Sequence, residues 1–327
     1  MRAKNLIAPL VAIIFIATGV WTLQNWQTVY DGYKAANFHP SREVEQLTLD
    51  TTMNDSARRT FYATRPTIDG SADFKQICRH QHDKGAVLGC YTGDQIYIYD
   101  VDNTELKGIK QVTAAHEMLH AAYARLSDSQ RREINSELSK KAQQLRADSQ
   151  FSDRMEVYQD LSESARLDEL HSIIGTEYKQ IGTELEKHYG SYFDDRQRVV
   201  AMYQDYATVF SNLSADADKL AMSLDSQAIE INRLKLVYQQ ANQSFSADVS
   251  LFNQRSESGY FTSQAEFYNQ RQELVQRSDW LDNQRIIINQ AIDKYNLDKQ
   301  RYEGLTAHLT ELNNSIDSSS IDPVPKV

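Results

Sequence analysis

Five consecutive residues carry the clearest chemical signal in this chain: His116-Glu117-Met118-Leu119-His120. Positions four apart share one face of a helix, so both imidazoles can converge on a single ion. The ion that suits such a pair, with a carboxylate beside it, is Zn2+. It would lower the pKa of a bound water toward about 7 and polarise a carbonyl. Glu117, next to the first histidine, is placed to take the water's proton and pass it to a leaving amine. The chemistry expected is therefore hydrolysis of an amide bond, with His116 and His120 as metal ligands and Glu117 as the catalytic general base.

A catalytic zinc needs a third protein ligand and keeps one position open. The residues just after the motif do not supply it. Tyr123 and Leu126 stand where the metzincin continuation H-x-x-G-x-x-H has its Gly and His. The stretch Glu163 to Ser172 reads as a helix and carries three candidates: Glu163, Glu169 and His171. Here the chain resembles the gluzincins, the thermolysin-like zinc metallopeptidases, over about residues 85–195. In them the third ligand is a Glu on a second helix C-terminal to the motif. In thermolysin-type members that Glu follows an amide residue. Asp168-Glu169 is similar, so the resemblance ranks Glu169 first, Glu163 second and His171 third. The thermolysin pattern also has an Asp four residues after the ligand, orienting a zinc histidine; here Ile173 stands there, so that support must differ. The resemblance further implies that the strand Gln95–Val101 is the edge strand along the cleft, where an extended substrate pairs with it. A donor for the developing oxyanion is also needed. His171, His188, Tyr189 and Tyr192 have suitable chemistry. His171 lies two residues from Glu169, about 200° round an ideal helix, which favours a packing or supporting role.

The elements around the motif follow from periodicity and breakers. Ala86–Tyr91 and Gln95–Val101 are rich in β-formers and flank the turn Thr92-Gly93-Asp94, which predicts a hairpin. Val112, Ala115, Met118, Leu119 and Ala122 recur at helical steps and predict a helix over Ile109–Leu126. Ser127 opens a capping box and a helix to about Leu145. Another helix is expected over Glu163–Tyr178, and one more from near Thr183. From Val199 to Phe252 apolar residues alternate at steps of four and three, interrupted at Gln227 and Asp248. The seam stops at Glu257–Tyr260. Ser263-Gln264-Ala265-Glu266 then opens a second long helix with an apolar residue every seventh position from Phe267 to Ile316. Two such helices read as an antiparallel hairpin, each about 75–85 Å long. Equally, each seam could pack on a partner chain.

Only five Pro and 12 Gly occur in 327 residues. No Pro lies between Thr67 and Asp322, which excludes sandwiches, barrels and βαβ arrays, all of which need frequent turn residues. A net charge of -10 argues against nucleic acid as a partner. Leu6–Leu23 is an uncharged run of 18 residues preceded by Arg2 and Lys4. It is long enough to span a bilayer with the N-terminus cytoplasmic, making the chain a single-pass membrane protein with its bulk extracytoplasmic. A cleaved signal peptide, leaving a secreted chain, is the alternative. Cys78 and Cys90 then suit a disulfide; a metal site using His80 and His82 between them is the rival.

The expected architecture is mainly α. A transmembrane signal anchor (1–23) leads through a juxtamembrane segment (24–66) to a small α+β zincin-like metallopeptidase domain (67–196). A long antiparallel helical hairpin or coiled coil (197–316) and a disordered tail (317–327) follow. The expected function is a membrane-anchored zinc metallopeptidase acting on peptide or protein substrates. The hairpin would serve for contact with substrate or an envelope protein, or for self-association. The alternatives are a non-catalytic coiled-coil envelope scaffold with a structural or vestigial zinc site, and hydrolysis of a non-peptide amide.

Overall fold

The computed structural model describes residues 26–70, 72–78 and 87–316. The expected anchor over 1–23, the tail over 317–327, and His80 and His82 lie outside them. Among the described residues no helix is long and apolar enough to cross a membrane. The single-pass membrane placement is corrected accordingly. The chain is mainly helical, with one three-stranded sheet and a long C-terminal helical region. It divides into two compact units, Met1–Val209 with Leu312–Val327, and Phe210–Glu311.

Among the described residues, the first unit opens on three short helices, α1 (Trp26–Ala36), α2 (Arg42–Asp50) and α3 (Asp55–Ala63). Ser41 caps α2 by accepting from the Val44 N–H, and Asn54 caps α3 by accepting from Ser56 and Ala57. Val44, Leu47, Met53, Ala57 and Phe61 join the same apolar cluster as the motif helix. Within the segment 24–66, read from sequence as juxtamembrane and of mixed composition, α2 and α3 thus contribute to the core.

Then come β1 (Thr67–Asp69), α4 (Ala72–Cys78), β2 (Gly89–Tyr91) and β3 (Ile96–Tyr99). β2 and β3 pair antiparallel, with Cys90 opposite Tyr97, as the hairpin signal predicts. β1 pairs parallel with the other side of β3, Thr67 opposite Tyr97. The order is β1-β3-β2. The expectation that Gln95–Val101 forms the edge strand is therefore corrected: β3 is central, and β2 is an edge. Three residues after Pro66 are too few to show a strand period, so β1 is invisible until it pairs. A disulfide joins Cys78 at the end of α4 to Cys90 in β2, with Cα atoms 5.8 Å apart and both residues buried. Closing so short a loop stabilises by about 3 kcal/mol in the chain-entropy model.

α5 (Ile109–Ala124) carries the motif. It is buried nearly all round rather than on one stripe: Ala114, Ala115, Ala121 and Ala122 let neighbours approach on faces that a larger side chain would block. Arg125, its C-cap, makes a two-pronged ion pair with Asp31 of α1, at 2.7 and 3.0 Å, and donates to the Ala121 carbonyl. Asp31 is buried, so this charge is matched where water cannot reach. α6 (Asp128–Leu145) starts at Ser127 with the predicted capping box. α7 (Ser149–Glu156), α8 (Glu163–Glu177) and α9 (Thr183–Tyr189) follow. α8 crosses α5 closely because Gly175 has no side chain: a Cβ there would come within 2.5 Å of Leu119 Cδ1 and 2.7 Å of Tyr189. Arg196, buried, donates to the carbonyls of Gly175, Tyr178 and Lys179 at the C-terminal end of α8 and pairs with Glu186. A guanidinium there satisfies carbonyls the helix leaves open and complements its dipole.

The second unit comprises most of α10 (Arg196–Glu257) and of α11 (Gln264–Ile316). Ala217, Leu224 and Ile231 on α10, and Leu281 and Ile288 on α11, are buried at heptad spacing. The seams pack on each other within one chain, antiparallel, and Gly259 at φ 72° turns the chain between them. The two interruptions of the α10 seam are the residues that fix its register. Gln227 donates to Asp298 of α11 at 2.8 Å, and Asp248 pairs with Arg277. Polar groups on an apolar seam penalise every other alignment.

Candidate metal centre

α5 and α8 bring His116, His120 and Glu169 together: one ligand atom from each lies within 4.8 Å of the others. His116 Nε2 is 3.7 Å from one carboxylate oxygen of Glu169, and His120 Nε2 is 3.6 Å from the other. Two donors on one tetrahedral zinc, each about 2.0–2.1 Å from it, sit about 3.4 Å apart. Nitrogen, nitrogen and carboxylate oxygen at these separations could hold a metal ion. Of the three candidates for the third position, Glu169 is the one the fold presents. Glu163 is exposed at the first turn of α8. His171, fully buried, makes its hydrogen bond with His188 at 2.9 Å instead.

Asp168 was not singled out from the sequence for its own role. Its carboxylate lies 2.9 Å from His120 Nδ1. That contact orients the ring so that Nε2 faces Glu169, the arrangement by which a carboxylate commonly supports a metal-binding histidine. The support that the resemblance places four residues after the ligand is thus supplied by the residue just before it. The spacing reveals this only once α8 is known to lie across α5.

Burial alone would lower the pKa of His120, but the Asp168 hydrogen bond and the charges of Glu169, Asp168 and Glu117 lift it to about 10. Burial raises that of Glu169, yet His116, His120 and Arg154 bring it below the usual carboxylate range. A cation binding here would displace the His120 proton and meet ligands already aligned.

Glu117 is 5% exposed, and its charge acts on His120. Gly89 of the edge strand β2 lies against it. A Cβ at Gly89 would come within 2.6 Å of Thr113 Cγ2, 2.8 Å of Glu117 Cγ and 2.9 Å of Glu117 Oε1. Only glycine lets the edge strand run this close to the motif helix. Gly89→Ala is expected to destabilise the protein by about 1–3 kcal/mol through overpacking. Thr113→Ser in the same chain, by removing the nearest methyl, should recover part of that loss in urea unfolding. An unchanged midpoint for Gly89→Ala would refute this packing.

The four oxyanion candidates form one cluster on α8, α9 and the turn after α9. His171 and His188 are paired through their Nε2 atoms, and Tyr189 donates from its hydroxyl to the His171 carbonyl at 2.7 Å. The His188 ring also packs edge-on against Tyr192. The His171–His188 contact needs one ring to donate and the other to accept. His171 Nδ1 has no hydrogen-bond partner. A bare ring acceptor costs less than a bare N–H, so His171 is best assigned as the Nε2 donor. Burial pushes the pKa of His188 from 6.5 down to about 4 and keeps His171 well below its usual value. The folded state thus binds fewer protons than the unfolded chain between these values. The contribution of His188 to stability is full above pH 6.5 and is lost as pH falls toward 4, by up to about 3 kcal/mol. Thermal unfolding followed over that range should show the decline, and His188→Gln should flatten it.

No family model, no curated protein and no solved structure matches this chain.

Proposed function

We propose that the chain is a zinc-dependent metallopeptidase of the gluzincin type. The observation that carries this reading is the convergence of His116, His120 and Glu169 from two crossing helices, with Glu117 on the same helix as the histidines. When bound, zinc would act as a Lewis acid toward a carbonyl and make water acidic enough to react near neutral pH. The chain's own residues do the rest. His116, His120 and Glu169 hold the ion, and Asp168 keeps the His120 ring in its binding orientation. Glu117 takes a proton from water and delivers it to the departing amine. β2, an edge of the sheet and in contact with the motif helix through Gly89, offers main-chain groups on which an extended peptide can align. The Tyr189 hydroxyl is committed to the His171 carbonyl and His171 to His188, which argues against either as the oxyanion donor.

The test is metal content together with hydrolysis of a peptide library by the full chain. Stoichiometric zinc and cleavage that a chelator abolishes and added zinc restores are expected. Protein without metal affinity would sink the proposal. A protein that binds zinc but cleaves no peptide, and that unfolds when zinc is removed, would favour a structural zinc site.

A further inference from the structure

The second unit carries a second heptad series that its own seam does not use. Met222, Ile229 and Leu236 are spaced by seven on α10 and are 66%, 72% and 59% exposed. Ile229 is the most exposed large apolar side chain among the described residues. Ala217, Leu224 and Ile231 face α11, so this second row runs along another side of the helix. Successive members are about 10.5 Å apart and drift only about 20° per heptad, so the three form one narrow stripe.

We propose that this stripe is the contact between two copies of the chain, packed antiparallel about a two-fold axis at Ile229. The charges beside the stripe are complementary to themselves in that direction and not in the parallel one. Reversing α10 about Ile229 sets Ile229 against Ile229 and Met222 against Leu236. The same operation sets Ser226 against Asn232 and Asp225 against Arg233. All seven positions are exposed. A parallel alignment would instead set Asp225 against Asp225 and Arg233 against Arg233, and like charges at a contact are unfavourable. The two-fold arrangement gives each copy the same set of contacts, as an isologous interface requires. Arg233 is already engaged by Glu230 through two nitrogens, at 2.7 and 2.8 Å. A guanidinium has five donors, so the same group can also meet a carboxylate from the facing copy. This contact is independent of the metal centre and of any activity there.

The test is cysteine cross-linking in the full chain with a short bis-maleimide. Among the described residues the native cysteines are both in the disulfide, so they give no background. Ile229→Cys is expected to link at the axis into a dimer. Leu236→Cys alone is expected not to link, because its counterpart is Met222, whereas Met222→Cys with Leu236→Cys should link. Adding Asp225→Arg to that pair should abolish the link, and adding Arg233→Asp as well should restore it by reversing the charge pair. Sedimentation of the unmodified chain should show a dimer that Ile229→Lys dissociates. Equal linking by Ile229→Cys and Leu236→Cys would mean a parallel contact and overturn the proposal. A monomer in which no variant links would leave the stripe to a different partner and overturn it equally.

Discussion

Glu117→Gln is expected to keep the bound metal and to lower peptide hydrolysis about 100- to 10,000-fold, the range for losing one general acid–base group. The amide has nearly the same volume and shape as the carboxylate. It can still pack against β2 at Gly89, where an added Cβ would come within 2.8 Å of Glu117 Cγ. What it cannot do is accept a proton. Fold and metal affinity should therefore stand while turnover falls. Metal analysis and steady-state kinetics on the same preparation separate these quantities. A variant that hydrolyses within a few fold of the parent would remove Glu117 from the mechanism or implicate a contaminating peptidase.

Replacing Glu169 has the second large effect, this time on the ion itself. Glu169→Ala leaves His116 and His120 as two neutral ligands, and two nitrogens do not make a closed site for a divalent metal. Metal should be lost on dialysis. Asp168→Asn should be milder. It weakens the acceptor at His120 Nδ1 but removes no ligand, and disturbing such an outer partner typically costs about 10- to 100-fold in affinity or activity. Glu163→Ala, at an exposed position, should change neither. Competition with a fluorescent zinc chelator ranks the three variants. Equal affinity for Glu169→Ala and the parent would disprove the ligand assignment. Equal loss for Glu163→Ala would point to another arrangement of α8.

Much of the local structure was legible. The capping box at Ser127 forms where the S-x-x-Q pattern predicts it, because a cap is satisfied within four residues. The boundaries near Ile109 and Leu145 agree with the helical period to within about two residues, for the same reason. At Ser263 only half of the box forms: the hydroxyl accepts from the Glu266 N–H, while the Glu266 carboxylate accepts from Thr262 instead. Interruptions of the long seam were legible as anomalies but not as devices. Gln227 and Asp248 become meaningful only when Asp298 and Arg277 arrive opposite them.

Other features were illegible because their partners are distant in the chain or their own signal is short. β1 has three residues and no period of its own, so the edge assigned to β3 belongs to β2. α1 is tied to the motif helix by Asp31 and Arg125, 94 residues apart, and no local pattern announces such a pair. An apolar N-terminal run suggested a membrane anchor, whereas no described helix meets the length and apolarity of a span.

What the sequence determined by itself is the chemistry available and the local scaffold that carries it. Two histidines four apart and a glutamate between them are a statement about one helix face, and a helix face is set by neighbours in the chain. Which carboxylate joins the two histidines, and which one hydrogen-bonds His120, was decided by the crossing of α5 and α8. That crossing depends on the absence of a side chain at Gly175 and on an arginine, Arg196, binding the end of α8 from a different element. Local periodicity ranks faces, but it cannot choose between Glu163, Glu169 and His171, since all three lie on one helix. Only the packing of that helix against another turns one of them toward His116 and His120 and the others away.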